Sequence, residues 1–556
     1  MHLCGSDILV KTLIEQGCET VFGYPGGQIL NVYDSLYQYQ NEINHVLTAH
    51  EQGAAHAADG YARTTGKVGV VISTSGPGAT NLVTGIATAY LDSIPMVAIC
   101  GNVPTTQIGT DSFQEIDITG VTLPITKHNY FVSNVEELAD TIREAFKLAQ
   151  SGRPGPVLID VPKDVQIATC EYEVRPPVEK DVPFAAKDVR IEEAAEIVNS
   201  AKRPFIYFGG GVIASHAQEE VLALAERIDA PIGCSLMGLS AIPTAHPRFL
   251  GMQGMHGHYA SSMSMHNADV ILSLGVRFND RVTGNRTKFA TGAKIVHIDV
   301  DGSELNKTVN SVCGLRGDVK LTLQKLLPLL NEGKKPDWMT KVNAFREEEE
   351  RYLDNREGLT PRRAILTLNQ HLGANTAVCT DVGQHQMWAA QSLTFKTARR
   401  FASSGGLGTM GYGFGAAIGA AYGTGERSVL ITGDGSFGMN LNELATAVRY
   451  NVPVVVMIMN NGVLGMVRQW QTLFYNQHYS NSVLERKTEF AAFAKAFGAD
   501  GEAVTTPEEL DAALTRAFAT EGPYIIDCKI DKDEFVLPML PPGGSMDDII
   551  TKLEVE

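Results

Sequence analysis

Two short motifs in the last third of the chain put oxygen donors where a hard cation could be held. Gly433-Asp434-Gly435 follows the apolar run SVLIT, and Asn460-Asn461 follows PVVVMIM, with 24 residues between the motifs. Each sits where a buried strand would end, and open α/β sheets bind ligands beyond the carboxyl ends of their strands. A carboxylate beside a carboxamide suits Mg2+, which takes few protein ligands and fills its shell with phosphate oxygens and water. Gly-Asp-Gly alone is as readily a tight turn; the pairing with Asn-Asn after a second apolar run favours a ligand site. A third segment, Thr380-Asp381-Val382-Gly383-Gln384-His385-Gln386, follows TAVC and opens a helix. Amides at a helix N-terminus, with neutral Gln and His donors, can hold a diphosphate.

A different chemistry stands near the other end of the chain. His50-Glu51-Gln52-Gly53 begins a helix of small residues, AAHAADGYAR. A carboxyl held on such a helix, away from water, has its neutral form favoured and its proton made transferable. The plain alternative is a helix-start Glu favoured by the macrodipole. Two apolar residues invite the same double reading. Met410, after the turn Leu407-Gly408-Thr409, is either core or a wedge against a ligand, and Trp470, nine residues beyond Asn461, is either a half-buried surface ring or a wall of a pocket.

Positioning these residues requires sheets. Short β-branched runs alternate with amphipathic stretches throughout, the pattern of parallel sheets covered on both faces. The expected architecture is α/β with three doubly wound parallel-sheet domains: 1–170, 190–330 and 360–535. In the first, strands are expected in ETVFGYPGG, KVGVVIST, IPMVAICGN and GPVLIDVP; in the second, in RPFIYFGGG, APIGCSL, DVILSLGVRF and AKIVHIDVD; in the third, in NTAVCTDVG, RSVLITG, PVVVMIMNN and YIIDCKID. A Pro- and charge-rich linker (171–189) and a charged, solvated linker helix (331–359) separate them, and a tail (536–556) is expected on the surface. The Gly-Gly-Gly at 209–211 is too weak a match for a dinucleotide fingerprint.

The chain has 63 acidic against 46 basic residues, a formal net charge of −17. That excess repels nucleic acid and anionic membrane surfaces, so neither is expected as a partner. No run approaches the ~20 apolar residues of a membrane span, and the N-terminus lacks the pattern of a secretory signal. The eight Cys lack metal-site spacing and read as reduced core thiols. A cytoplasmic protein is expected.

Gly-Asp-Gly, an interval and Asn-Asn resemble the signature of thiamine diphosphate enzymes, and AHEQGA resembles the context of their activating glutamate. The resemblance to the acetohydroxyacid synthase family covers nearly the whole chain. It extends through Gly23-Tyr24-Pro25-Gly26-Gly27, Ser75-Gly76-Pro77-Gly78-Ala79-Thr80-Asn81, Phe113-Gln114-Glu115, Arg153-Pro154-Gly155-Pro156, Pro162-Lys163-Asp164, Ser404-Gly405-Gly406-Leu407-Gly408-Thr409-Met410-Gly411 and Gly465-Met466-Val467-Arg468-Gln469-Trp470-Gln471. By this resemblance Asp434, Asn461 and the Val463 carbonyl hold Mg2+. Gly27, Val382, Gly383, Gln384, His385, Gly408, Met410, Gly435 and Ser436 would contact thiamine diphosphate. Glu51, Gln114, Lys163, Met410, Trp470 and Arg281 would serve the reaction, Trp470 narrowing the acceptor side in favour of 2-oxobutyrate and Arg281 clamping a carboxylate.

The middle domain resembles the family's FAD-binding domain. Arg153, Gly254, Met255, His256, Gly257, Arg277, Asp280, Arg281, Asp299, Asp318 and Val319 would contact FAD, whose role there is structural. The resemblance implies decarboxylation of pyruvate on thiamine diphosphate and transfer of the hydroxyethyl unit to a second 2-oxo acid. Pyruvate as acceptor gives 2-acetolactate and 2-oxobutyrate gives 2-aceto-2-hydroxybutyrate, the first common step of branched-chain amino acid synthesis. It further implies a homodimer or dimer of dimers with Glu51 and Gly-Asp-Gly of one site on different subunits, and a small regulatory subunit. A flavin-reducing pyruvate oxidase is the rival enzyme and a non-catalytic subunit the rival of another class. Glyoxylate carboligase lacks the glutamate and is disfavoured by Glu51. Four positions depart from the family pattern: Gln28, near the expected pocket; Gln253; Asn279; and Gly415, expected to affect only the start of its helix.

Overall fold

A computed structural model describes residues 1–552. The N-terminal unit contains β1 (His2–Cys4), β2 (Thr20–Gly23), β3 (Asn44–Leu47), β4 (Gly69–Ser73), β5 (Met96–Asn102), β6 (His128–Phe131), β7 (Pro156–Pro162) and β8 (Thr169–Glu171). β1 and β8 pair antiparallel and tie the two ends of the unit together, while the other six form a parallel sheet in the order β3-β2-β4-β5-β7-β6. Its inner strands are apolar on both faces: Val70, Val71, Ile72, Val97, Ala98 and Ile99 are fully buried. Helices cover both sides of such a strand, so no polar alternation survives.

The middle unit holds β9 (Pro204–Phe208), β10 (Ile232–Cys234), β11 (Phe249–Met252), β12 (Val270–Leu274), β13 (Lys294–Asp299) and β14 (Cys313–Arg316). They are parallel in the order β11-β10-β9-β12-β13-β14, that of dinucleotide-binding sheets, with the direction of winding reversing between β9 and β12. Gly209 and Gly211, too weak a signal in sequence, lie at that reversal, where a Cβ on either would strike the backbone of Gly275 or the side chain of Val276. They permit close approach of two strand-end loops.

The C-terminal unit holds β15 (Ala377–Thr380), β16 (Phe401–Ala402), β17 (Ser428–Gly433), β18 (Val454–Asn460), β19 (Asp500–Val504) and β20 (Tyr524–Lys529), parallel in the order β16-β15-β17-β18-β20-β19. Numbered within each unit, this is the order of the N-terminal sheet. The helices that precede the third strand of each sheet, Glu51–Thr65 and Tyr412–Thr424, cross in direct backbone contact. Side chains on Gly60 and Gly419 would collide with the carbonyls of Ala416 and Ala57 respectively. Gly415 belongs to this crossing: a Cβ there would lie 2.6 Å from the Gly53 carbonyl oxygen and 2.8 Å from His56 Cβ. Its role is therefore helix–helix contact, which corrects the expectation that it affects only the helix start.

Two further expectations are corrected. The segment 331–359 contains the helix Pro336–Glu349, but it is not solvated: Trp338, Val342 and Phe345 form a buried stripe and the Trp338 indole donates to the Pro204 carbonyl (3.0 Å). Its many charges occupy the outer face and masked that stripe in the sequence. The tail is not superficial either, because Val536 and Met539 are fully buried and the Leu540 amide donates to the Met255 carbonyl (2.7 Å). Residues 553–556 of the expected tail lie outside the described residues. All eight Cys are free, six of them buried, and no described helix is long and apolar enough to cross a membrane.

Candidate active site

β15, β17 and β18 are neighbours in one parallel sheet, so the loops that leave their carboxyl ends converge. Asp434 opens the helix Asp434–Asn440 directly after β17. Its side chain is buried, its Oδ1 has no hydrogen-bond partner, and burial pushes the carboxyl up to about 6. A buried carboxylate oxygen left without a partner is costly, and a divalent cation would supply the missing charge. Of the Asn pair after β18, Asn460 is committed to Asp527 on β20 (2.8 Å), leaving Asn461 beside the site. Asn461 Oδ1 accepts from the Val463 amide at 3.3 Å and its Nδ2 donates to Gln384 Oε1 at 3.4 Å. Val463 itself bridges Val483 through the Gly462 carbonyl and the Leu464 amide. No group of three His, Cys, Asp or Glu among the described residues could hold a metal ion. A cation at Asp434 would thus draw on amide, carbonyl and ligand oxygens, the donor set Mg2+ prefers.

The helix Gln384–Ser392 points its N-terminus at the same place. His385 is buried, held neutral by burial that lowers its pKa to about 3, and its Nε2 is unpartnered. It lies against Gly433, where any Cβ would come within 2.9 Å of its Nδ1. Gln384 donates to Gln469 Oε1 (3.0 Å) and to the Glu534 carbonyl (2.7 Å). Ser436 accepts from the Gly411 amide (3.1 Å), which joins the loop bearing Gly408 and Met410 to the Gly-Asp-Gly turn. These orphaned buried atoms and glycine-lined approaches fit a cation–diphosphate group.

The N-terminal sheet gathers the other predicted residues at its own carboxyl edge. Glu51 starts the helix after β3, buried, and Asn81 Nδ2 donates to its Oε2 (2.9 Å). Gln114, at φ 63°, packs on Gly76, while Lys163 Nζ reaches the Gly27 carbonyl (3.3 Å). Gln28, the departure near this pocket, has a buried Oε1 with no partner. Among the described residues, no hydrogen bond or ion pair joins Glu51 to Asp434, Asn461 or His385. The chain thus carries two half-sites on two sheets.

Arg281 of the middle unit and Trp470 of the C-terminal unit are brought together: the guanidinium lies over the indole ring at 5.8 Å and Nη1 contacts Met255 Sδ at 3.8 Å. His256 is buried, with burial lowering its pKa to about 4, and Asp299, at the end of β13, is raised by burial to about 6. A Cβ on Gly254 or Gly257 would strike neighbouring backbone. The remaining residues expected at FAD divide. Arg153 is held by Glu304 (2.9 Å) and Asp301 (3.2 Å), and Arg277 donates to the Leu91 carbonyl (2.5 Å). Asp318 caps the helix Val319–Leu326 by accepting from the Leu321 amide (3.0 Å), Val319 is core, and the Asp280 side chain is exposed. The sheet order and the buried Asp299 at a strand end still fit a dinucleotide.

Sequence reasoning missed two buried carboxylates beside these half-sites, Asp92 and Glu443. Each is the kind of acidic residue in an apolar stretch that could have signalled a role, Glu443 in LNELATAV above all.

Three family models match the chain: the thiamine pyrophosphate enzyme N-terminal TPP binding domain over residues 4–121, its central domain over 191–326 and its C-terminal TPP binding domain over 381–528. Among curated relatives, the chain is 45% identical to a protein of Methanocaldococcus jannaschii named "Probable acetolactate synthase large subunit", covering 99% of this chain and 96% of that one. It is 43% identical to the acetolactate synthase isozyme 2 large subunit of Escherichia coli, covering 99% and 100%. It is 42% identical to the acetolactate synthase large subunit of Buchnera aphidicola, covering 100% and 99%.

Proposed function

Because the chain belongs to the acetolactate synthase large-subunit family of thiamine pyrophosphate enzymes, we propose that it joins two 2-oxo acids after decarboxylating the first. Pyruvate is the donor. Pyruvate or 2-oxobutyrate is the acceptor, giving 2-acetolactate or 2-aceto-2-hydroxybutyrate for branched-chain amino acid synthesis. The observation that carries this reading is the buried Asp434 carboxylate, whose Oδ1 has no hydrogen-bond partner, with Asn461 beside it at the adjoining strand ends.

When bound, thiamine diphosphate supplies the electron sink that lets carbon dioxide leave. The chain's residues do the rest. Asp434, Asn461 and the Val463 carbonyl hold Mg2+; His385, Gln384, Ser436 and the amides of Val382, Gly383 and Gly435 receive the diphosphate. Glu51, oriented by Asn81, holds a proton at the cofactor's pyrimidine nitrogen. Gly408 and Met410 shape the cofactor, and Gln114, Lys163 and Gln28 face the donor side. Arg281 receives the acceptor's carboxylate and Trp470 walls its side chain.

FAD would be held in the middle unit by Arg153, Arg277, Asp280, Asp299 and the loop 254–257, with Asp318 and Val319 beside them, and would take no part in the electron balance. Two copies of the chain complete each site, Glu51 from one and Asp434 from the other, in a dimer or dimer of dimers that also binds a small regulatory subunit. The eight free Cys, six of them buried, support a reducing, cytoplasmic setting, and the net charge of −17 disfavours anionic surfaces as partners. Incubating purified protein with Mg2+, thiamine diphosphate, FAD and an equimolar mixture of pyruvate and 2-oxobutyrate tests the reading. Acetohydroxy acids are the expected products; acetate or acetyl phosphate with bleaching of the flavin and no carboligation would instead make it an oxidase.

A further inference from the structure

The two segments that carry Glu51 and Met410 are equivalent positions of the two like sheets, each following the second strand of its unit, β3 or β16. Each is gripped by a buried carboxylate from the opposite unit. Glu443, fully buried, accepts from the Ala49 amide through Oε2 (3.1 Å) and from the His50 amide through Oε1 (3.0 Å), immediately before Glu51. Asp92 accepts from the Gly405 amide through Oδ2 (3.0 Å) and from the Gly406 amide through Oδ1 (2.7 Å), immediately before Gly408 and Met410. A glycine makes room for each grip, Gly53 for Glu443 and Gly406 for Asp92. Both carboxylates end a helical segment after the third strand of their own six-stranded sheet, Glu443 that of Leu441–Glu443 after β17 and Asp92 that of Val83–Asp92 after β4. The two grips are one arrangement repeated by the duplicated fold.

We propose that Glu443 and Asp92 are reciprocal positioning residues, each fixing the cofactor-facing segment of the other unit, Glu443 that of Glu51 and Asp92 that of Gly408 and Met410. The assignment rests on the thiamine diphosphate reading above. Two backbone amides on one carboxylate leave little freedom to the turn that follows, and charge-assisted hydrogen bonds are about twice as strong as neutral ones. The two grips differ in one respect. Asp92 is paired with buried Arg63 (2.8 Å), which is in turn held by Asp59, whereas Glu443 has only the Thr446 hydroxyl (2.7 Å) besides the two amides. Glu443 has no cationic partner among the described residues, and burial raises its pKa while the Thr446 hydroxyl and the two amides lower it. An apolar replacement would leave the Ala49 and His50 amides without acceptors.

The test uses full-length protein loaded with Mg2+ and thiamine diphosphate, without substrate. It measures exchange of the cofactor's C2 proton for deuterium by NMR of quenched samples, the dissociation constant of thiamine diphosphate by tryptophan quenching, and the thermal midpoint. Glu443→Gln, which places an amide NH2 against a backbone N–H, should slow exchange by about a hundredfold, as displacement of a reacting group by about 1 Å does, with cofactor affinity little changed. Glu443→Asp keeps both acceptor oxygens and should recover part of the rate. Asp92→Asn should do the reverse, weakening cofactor affinity more than it slows exchange. Should Glu443→Gln not fold, Thr446→Val removes one bond to the same carboxylate and should slow exchange by a smaller factor. Wild-type exchange in Glu443→Gln or, failing that, in Thr446→Val overturns the assignment. So does a parallel loss of affinity, midpoint and exchange that Glu443→Asp does not relieve. Absence of cofactor binding and exchange in the wild type would overturn the thiamine reading itself.

Discussion

The first and last units of this chain wind their strands in one order and carry opposite kinds of side chain at matching places. After the third strand of the N-terminal sheet comes Thr74-Ser75-Gly76-Pro77-Gly78, with no charged side chain; after the third strand of the C-terminal sheet comes Asp434-Gly435-Ser436, with a buried carboxylate. After the second strand the assignment is reversed: Glu51 stands in the N-terminal unit and the uncharged turn to Met410 in the C-terminal one. On the function proposed above, one topology supplies a cation and diphosphate edge and a proton-handling edge. The difference lies in a few loop residues and not in the sheet, which is why fold alone does not assign function.

The sharpest way to break this division is to exchange its two carboxyls for neutral groups. Asp434→Ala removes the charged ligand, and turnover should disappear together with Mg2+-dependent binding of thiamine diphosphate. Glu51→Gln should leave that binding and the thermal midpoint in place and cut turnover by about 10²–10⁴-fold, the usual worth of a positioned proton donor or acceptor. If Asp434→Ala binds the cofactor normally, or Glu51→Gln turns over normally, the edges are wrongly divided.

The junction of the two units comes next in size. Gly419 has no room for a side chain above the Ala57 carbonyl, so Gly419→Val must part the helices Glu51–Thr65 and Tyr412–Thr424. Overpacking of this kind costs about 1–3 kcal/mol. The thermal midpoint should fall and both half-site activities should fall with it. A variant as stable as the wild type would mean that the crossing contributes little.

A buried carboxyl in the N-terminal sheet sharpens the contrast with Asp434 in another way. Asp160 on β7 accepts from Asn102 (2.7 Å), has an unpartnered Oδ1, and is pushed up to about 7 by burial. With a folded pKa above the unfolded one, its stabilising contribution is complete below about pH 4 and is lost as pH rises through about 7. Asp160→Asn removes that dependence. The variant should gain on the wild type between pH 5 and pH 8 by at most a few kcal/mol. A midpoint difference that stays constant over this range would show that Asp160 does not titrate as its burial demands.

The sequence pattern exposed the inner four strands of every sheet and none of the six edge strands. β3, β6, β11, β14, β16 and β19 are short or carry polar residues such as Asn44, His45, His128, Asn129, Asp500 and Glu502. An edge strand meets solvent on one side and is kept short or charged, which removes the continuous apolar run that betrays a central strand. The site was legible for the same kind of reason. Asp434, Asn461 and His385 follow central strands, and Glu51 stands in a conspicuous run of alanines. Glu443 and Asp92 were not legible, because each reaches across to a segment more than 300 residues away in sequence. The stripe of Trp338, Val342 and Phe345 was hidden by the charges of its own helix.

The smallest effect concerns the middle unit, which has no counterpart in the duplicated pair and meets Trp470 through Arg281. If the two like units make the reactive chemistry, the middle unit and Trp470 should govern which acceptor is taken and leave decarboxylation alone. Trp470 is partly exposed, stacked edge-on by Phe474 at 5.6 Å and faced by Arg281. Trp470→Leu opens the acceptor side without touching Asp434 or Glu51. One or two methylenes of apolar fit discriminate by about tenfold to a few hundredfold, so the ratio of 2-aceto-2-hydroxybutyrate to 2-acetolactate should fall by about tenfold at equal substrate concentrations, while carbon dioxide release from pyruvate changes little. A ratio that holds while decarboxylation falls would place Trp470 with the proton-handling and cation edges and erase the distinction between the duplicated pair and the unit inserted between them.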